Sequence, residues 1–201
     1  MKKYLLLIGF FAVSVLTASA QDYKPFRVGI GLGYASPGGD GAKGGVLFYL
    51  EPGYRVTDAF MVGLRLESAV MARGVSISGG GTSITNEAEV SGNASYTVNG
   101  QYYFGSNNFR PFAGVGFGIY SLASASVSGT TASASASSSE FGFYPRIGFD
   151  IGHFTMQAEY NIIPSKTTEI SLGTPGSTIT AESKNSYFGI KAGFFIGGGK
   201  R

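Results

Sequence analysis

The chain of 201 residues has a formal net charge of +3, and it combines 32 glycines and 14% aromatic residues with only 13% charged residues and no cysteine. The lack of cysteine excludes disulfide bonds, cysteine-based metal sites and a lipid-modified cysteine. Two of the positive charges, Lys2 and Lys3, lie in a segment that we expect to be removed, so the composition gives no indication of nucleic-acid binding.

Residues 1–20 have the features of a cleavable signal peptide. Two lysines precede an apolar run over residues 4–16, which is too short to span a bilayer comfortably. The small residues Ala18-Ser19-Ala20 then provide a cleavage site, so the mature chain is predicted to begin at Gln21. The alternative is an uncleaved N-terminal membrane anchor. No later segment approaches the roughly 18 consecutive apolar residues of a transmembrane helix.

Alternation of apolar and polar residues predicts three strands early in the mature chain, at residues 26–34, 45–56 and 60–73. In the third strand one face is almost wholly apolar, whereas the other carries three charges. Successive side chains of a strand point to opposite faces, so this period of two indicates a strand, and a helix would leave no such stripe. A glycine-rich loop joins the first two strands, and a short turn at Thr57-Asp58 precedes the third.

The rest of the chain contains five more segments with the same alternation. They are a strand that ends at Phe104 and strands at residues 112–122, 141–151, 154–162 and 187–196. Residues 74–85 form a polar hairpin by composition, and a second polar segment with a tip at residues 174–177 precedes the last strand. Residues 121–139 are almost all Ala, Ser and Thr, which fits either a disordered loop or a hairpin that extends past the membrane.

The connections between these eight strands alternate in length. Those after strands 1, 3, 5 and 7 are long and rich in Gly, Ser and Thr, whereas those after strands 2, 4 and 6 have only a few residues. Short turns on one side and long loops on the other are typical of outer-membrane barrels. The predicted fold is therefore all-β: residues 21–201 form an eight-stranded antiparallel up-and-down transmembrane β-barrel.

Charged residues are concentrated on the polar faces of the predicted strands. The members of this interior charge network are Arg27, Glu51, Arg55, Arg65, Glu67, Arg146, Asp150, Glu159 and Lys191. An eight-stranded barrel has room inside for side chains of modest size, so the bulky apolar face is expected to contact lipid and the charged face to line the interior. The charges could form a paired plug or line a narrow pore, and the limited space favours the plug.

Aromatic residues cluster near the ends of the apolar faces. A girdle on the side of the short turns is predicted from Phe60, Phe104, Phe154 and Phe194. Aromatic girdles mark the two membrane–water interfaces of transmembrane barrels, so this distribution supports the lipid-facing assignment.

The mature chain resembles the small eight-stranded outer-membrane barrels of the OmpA and OmpX kind. The resemblance extends from Phe26 to Ile196 and includes the strand at residues 112–118 and the aromatic-rich end Phe194-Phe195-Ile196. Members of that group usually end on an aromatic residue that the barrel assembly machinery reads, whereas here a Gly-rich tail follows, so Phe194 or Phe195 is the expected insertion signal.

The sequence offers little for catalysis, metals or cofactors. The one histidine, His153, lies in a predicted periplasmic turn, whereas barrels that modify outer-membrane lipid keep their chemistry near the outer leaflet. Glu87 and Glu89 lack the compact Asp/Asn loop of a cation site. The glycine-rich strands do not have the G-x-G-x-x-G spacing of a nucleotide loop and are expected to make room for large neighbours. No enzyme activity, cofactor or metal is predicted.

The expected role is that of an outer-membrane barrel, either structural or adhesive through its long hairpins. A narrow channel for small solutes or ions is the main alternative, and a lipid-modifying enzyme is a weaker one. The expected partners are outer-membrane lipid, the barrel assembly machinery and a surface protein or host ligand that pairs with the hairpin edges, and the barrel is expected to be a monomer.

Overall fold

A computed structural model describes residues 23–38, 42–79, 82–128, 131–171 and 178–199. The predicted signal peptide lies outside the described residues. Within these ranges, no helix is long and apolar enough to cross a membrane.

The described chain is built from strands joined by turns and loops. In chain order they are β1 (Phe26–Pro37), β2 (Lys43–Arg55), β3 (Phe60–Gly79), β4 (Thr82–Tyr103), β5 (Phe109–Ser128), β6 (Thr131–Ile151), β7 (Phe154–Asn161), β8 (Lys166–Ser171), β9 (Thr178–Ser183) and β10 (Tyr187–Gly197). Every predicted strand is present, and several are longer than the alternation alone indicated.

Eight of these strands close into a barrel. Consecutive strands from β1 to β7 pair antiparallel, β10 pairs with β7, and β1 closes the ring against β10, with Arg27 opposite Gly197. The ring order is therefore β1, β2, β3, β4, β5, β6, β7, β10. This confirms the predicted all-β, eight-stranded antiparallel barrel.

The barrel has an apolar outside and a polar inside. Along β3, for example, Leu64 is 57% exposed on the outer wall, whereas Arg65 is 1% exposed in the interior. The outer wall continues this pattern with exposed apolar and aromatic side chains from all eight strands. Because water is a poor solvent for such a continuous apolar surface, the outer wall suits contact with hydrocarbon.

The two ends of the barrel differ in height. Residues 56–59, 104–108 and 152–153 make the connections at the short-connection end. At the other end β3, β4, β5 and β6 run on well beyond their neighbours, with 20 to 22 residues each. Register shifts occur between Arg73 and Val75 and between Leu122 and Ser124, near the level where these strands leave the barrel. Bulges commonly bend a strand at the rim of a barrel.

Residues 121–139, for which the sequence left a loop or a hairpin open, form part of the hairpin of β5 and β6. Ser121 pairs with Ser139, and the last described pair is Ser128 with Thr131. The hairpin of β8 and β9 behaves differently, because β9 pairs with β3 rather than rising beside β10. The last described pair between β2 and β3 joins Lys43 to Ala72, so the edge of β3 above this level is available to β9.

Glycines inside the barrel make space for tyrosine rings. A methyl group at Gly116 would collide with the ring of Tyr144, and one at Gly193 would lie 2.5 Å from the hydroxyl of Tyr49. The glycine-rich strands are therefore packing surfaces, as their lack of nucleotide-loop spacing predicted. Towards the end with the long hairpins, tyrosines join a buried apolar cluster that includes Leu47.

Candidate functional site in the barrel interior

The nine charged residues of the predicted network all lie inside the barrel. Arg27, Glu51, Arg55, Arg65, Glu67, Arg146, Asp150, Glu159 and Lys191 are each at most 6% exposed. The alternation of each strand directs them inward, because they share their strand face with glycine, tyrosine and other polar residues. Burial of so many charges is costly unless each finds a partner of opposite sign.

Arg65 is the centre of the network. Its Nε atom donates to Glu51 Oε2 at 2.6 Å, its Nη1 atom donates to Glu159 Oε2 at 2.5 Å, and its Nη2 atom donates to Gln157 Oε1 at 3.1 Å. The guanidinium carbon also lies 5.0 Å from the centre of the Tyr144 ring. One cation from β3 is thus held by carboxylates from β2 and β7.

Glu51 accepts from a second arginine on the far wall. Arg146 Nη1 donates to Glu51 Oε2 at 2.8 Å and to Oε1 at 3.1 Å, while Arg146 Nη2 donates to Asn99 Oδ1 at 2.7 Å. Glu51 therefore joins Arg65 and Arg146 in one continuous chain of charge-assisted hydrogen bonds, which are the stronger kind.

Lys191 completes the set on the side of the long hairpins. Its ammonium group donates to both Glu67 and Glu159. Tyr187 Oη donates to Glu67 Oε1 at 2.8 Å, and Asn161 Nδ2 donates to Glu159 Oε1 at 2.9 Å. The middle of the barrel thus contains three cations and three carboxylates that bond to one another.

A second group of charges lies at the short-connection end. Arg27 Nη1 donates to Asp150 Oδ2 at 2.7 Å and to the hydroxyl of Tyr103 at 2.6 Å. Tyr103 Oη in turn lies 2.9 Å from Asp150 Oδ2 and donates to it. The Arg27 guanidinium also packs over the Phe195 ring, with 3.8 Å between its central carbon and the ring centre.

Two more arginines and a tyrosine close this end. Arg110 lies between two rings, 4.0 Å from the centre of Tyr23 and 4.2 Å from that of Tyr103. Arg55 lies 4.8 Å from each of the same ring centres. Tyr23 Oη donates to the main-chain oxygen of Ser106 at 2.5 Å, which fixes the ring beneath the two guanidinium groups. Stacking of cations on aromatic faces is favourable when the pair is desolvated.

Arg110 and Tyr23 are buried or stacked at this end although the alternation of the sequence did not predict either of them. Arg110 is 4% exposed and belongs to β5, whereas the predicted strand begins at residue 112 and does not include it. Its spacing could have identified it as an inward residue. Arg110 lies two residues before the inward-facing Phe112, so both side chains are on the same face of the strand. Tyr23 precedes the first strand and had no periodic pattern to identify it.

The predicted aromatic girdle lies on the outer wall near the short-connection end. Phe60, Phe104 and Phe194 are exposed, and Phe154 is half-buried. Phe154 and Phe194 contact each other edge to face, with ring centres 5.6 Å apart. These four rings stand near the strand ends, as an interface girdle requires.

His153 lies in the turn between β6 and β7 and is exposed. Its ring centre is 5.5 Å from that of Phe195, so the imidazole packs against an aromatic ring. Among the described residues, no group of three or more His, Asp and Glu side chains is close enough to hold a metal ion. The side chains of Glu87 and Glu89 lie outside the described part of the structure.

A family model described as outer membrane protein beta-barrel domain matches residues 4–194 of the chain. Curated protein sequences give no match. The match to the family model spans nearly the whole sequence and agrees with the closed barrel described above.

Solved structures of small outer-membrane barrels are similar in fold. OprG from Pseudomonas aeruginosa is 14% identical, with 88% of this chain and 99% of that chain covered at a TM-score of 0.54. Neisserial surface protein A is 13% identical, with 86% and 96% covered at a TM-score of 0.51. At these identities the likeness concerns the fold alone.

Proposed function

Because the chain belongs to the outer membrane protein beta-barrel domain family, we propose that it is a closed barrel whose function lies in the hairpins outside the cell. The protein is an integral component of the bacterial outer membrane. Its short connections face the periplasm, and the long hairpins rise from the outer leaflet. In this proposal the barrel is an anchor, and the hairpins provide surface contacts.

The main support for this proposal is the length of four strands. A transmembrane β-strand needs about 9–11 residues, which matches β1 and β10 with 12 and 11 residues. The four strands from β3 to β6 have 20 to 22 residues, about twice that requirement. At roughly 3.3 Å per residue, the additional segments project on the order of 30 Å beyond the neighbouring strands.

The projecting sheet has edges that suit an extended polypeptide partner. Within the described residues, β8 pairs with β9 alone, and above Phe143 the pairs of β6 are all with β5. An unpaired strand edge presents main-chain N–H and C=O groups that can bind a further strand. We therefore infer that the surface partner is a protein segment that adds a strand to this sheet.

The interior supports a plug rather than a pore. In the ring order β3 stands opposite β7, and β2 stands opposite β6. Bonds from Arg65 to Glu159 and from Arg146 to Glu51 therefore cross the full width of the lumen. A continuous water path would require these buried ion pairs to separate, which costs several kcal/mol per uncompensated charge.

The proposal has further parts, which concern oligomeric state, assembly, export and catalysis. The apolar outer wall suits lipid on all sides, which supports a monomer. The aromatic end at Phe194 and Phe195 is the proposed signal for the barrel assembly machinery, and residues 1–20 are the proposed signal peptide. We infer a non-enzymatic role, because His153 packs against Phe195 in a periplasmic turn far from the outer leaflet.

The surface role is tested by shortening the hairpins. Cells that display the intact protein are compared with cells that display a variant lacking residues 76–85 and 124–138, in which tight turns join the strands. We expect the variant to insert normally, with a heat-dependent gel shift, and to lose adhesion to immobilised protein. Equal adhesion by the two proteins, at equal surface amounts, would contradict the proposal.

Conductance of the refolded mature protein in a planar bilayer tests the closed lumen. We expect no steady current, and we expect Glu67→Ala to lower thermal stability without opening a channel. A steady single-channel current from the wild-type protein that changes on Arg65→Ala would reject the plug and favour a narrow channel.

A further inference from the structure

A cavity of about 450 Å³ opens at the periplasmic end of the barrel, opposite the projecting hairpins. Its wall includes Arg55, Arg110, Asn107, His153 and Phe195, and we call it the mouth pocket. The proposed surface role of the hairpins does not use this end of the molecule, and the lumen-crossing ion pairs lie deeper in the barrel.

The mouth pocket has an excess of positive charge. In the middle of the barrel three cations face three carboxylates, so the charges balance. Within the described part of the pocket lining, Arg55 and Arg110 provide two guanidinium groups, and Asp150 provides the one carboxylate. Arg27 and Asp150 already form an ion pair at 2.7 Å. A cleft lined by one sign of charge concentrates ions of the opposite sign.

Arg110 is held in a fixed position with donors to spare. Its Nε atom donates to the Gly105 oxygen at 3.3 Å, and its Nη2 atom donates to the Asp58 main-chain oxygen at 2.5 Å. The rings of Tyr23 and Tyr103 clamp the guanidinium plane from both sides. Among the described residues, Arg110 Nη1 has no hydrogen-bond acceptor. The side chain is thus ordered in advance and retains N–H groups for a ligand.

We propose that the mouth pocket binds a free oxyanion, a phosphate or carboxylate group of a solute in the periplasm. Guanidinium groups match the planar, two-oxygen geometry of such anions. The exposed side chains of Asn107 and Asn108 add amide donors at the rim. The pocket is lined by inward side chains such as Arg110 and Phe195, whereas Phe194 is exposed on the outer wall, which favours a soluble anion over a lipid headgroup.

The first test uses the wild-type mature protein in zwitterionic detergent micelles, titrated with inorganic phosphate and, separately, with malonate. Backbone amide NMR signals are followed at constant ionic strength. We expect saturable shifts at Asn107, Asn108, Gly152 and His153, and no comparable shifts in β8 and β9. Shifts that grow linearly without saturation, or that appear equally at the outer hairpins, would overturn the proposal.

The second test compares two variants that each lose one positive charge at the same end. Arg110→Gln removes the clamped guanidinium, whereas Lys24→Gln removes an exposed charge outside the pocket lining. We expect Arg110→Gln to weaken phosphate binding by about tenfold or more and Lys24→Gln to leave it unchanged. An equal loss in both variants would show a diffuse charge effect and overturn the site. Should Arg110→Gln fail to fold, the saturable shifts of the wild type decide the question.

Discussion

Arg65 and Glu159 bond across the full width of the barrel, with 2.5 Å between Nη1 and Oε2, from strands that stand on opposite sides of the eight-strand ring. A bond of this kind joins parts of the wall that have no main-chain pairing with each other. The charged interior therefore braces the barrel as well as filling it. We therefore expect the same residues to affect both the stability of the barrel and its conductance.

Glu159→Gln is expected to destabilise the barrel strongly. The substitution keeps the shape of the side chain but removes the negative charge that faces Arg65 and Lys191. One buried positive charge then lacks compensation, so we expect the free energy of unfolding to fall by about 3–5 kcal/mol. Urea titration in lipid bilayers, followed by circular dichroism and by the heat-dependent gel shift, measures the change.

Glu140→Gln is the matched control for that experiment. Glu140 lies in β6, the strand that pairs with β7, but it is only partly buried and takes no part in the ion pairs of the described interior. We expect it to change the free energy of unfolding by less than about 1 kcal/mol. Similar losses in both variants would mean that the interior bonds contribute no more than surface charges.

Gly116→Ala tests the packing of tyrosine over glycine. A methyl group here would collide with the Tyr144 ring, so we expect a loss of about 1–3 kcal/mol from overpacking. Gly29→Ala is the control, because its nearest neighbour, the Glu51 main-chain oxygen, would lie 3.6 Å away in ordinary contact. Unfolding midpoints of the two variants in the same lipid measure the difference. An equal or smaller loss for Gly116→Ala would refute the steric explanation.

The barrel could be predicted from the sequence because a period of two is local information. The alternation at Leu64 and Arg65 assigns each residue to a face, and the eight repeats with alternating connection lengths then leave few topologies. The inward set of charges followed from the same alternation. The ion-pair partners, such as Arg65 with Glu159, could not be predicted in this way, because they depend on which strands face each other across the closed ring.

Other features depend on contacts that no periodic pattern encodes. Tyr23 lies before the first strand, and its position depends on contacts with Arg55, Arg110 and Ser106 at the mouth. The pairing of β9 with β3 also needed the structure, because no periodic pattern identifies the edge of β3 above Ala72 as the partner of β9. Because β8 and β9 lie between β7 and β10 in the chain, strand order alone would place their hairpin above those two strands.

Leu64→Arg tests the assignment of the outer wall to lipid. Leu64 lies near the middle of the membrane-spanning part of β3 and is exposed on the outer wall. Arginine near the bilayer midplane costs about 2–4 kcal/mol in transmembrane barrels and far less near the interface. Val70→Arg, on the same face beside Val46, is therefore expected to cost about 0–1 kcal/mol. The free energies of unfolding of the two variants in lipid bilayers measure both costs. Equal costs would contradict the assignment of this wall to lipid, because the cost of an arginine should depend on its depth in the membrane.

Tyr23→Ala tests whether the aromatic ring at the periplasmic mouth stabilises the two arginines. Removing the ring takes away one of the two aromatic faces around both Arg55 and Arg110, so we expect a loss of about 1–2 kcal/mol. Tyr23→Phe keeps the ring and removes only the hydroxyl that donates to Ser106, so most of the stability should remain. Free energies of unfolding for the three proteins separate these contributions. If the Phe variant lost as much stability as the Ala variant, the hydrogen bond to Ser106, and not the stacking, would account for the contribution of Tyr23.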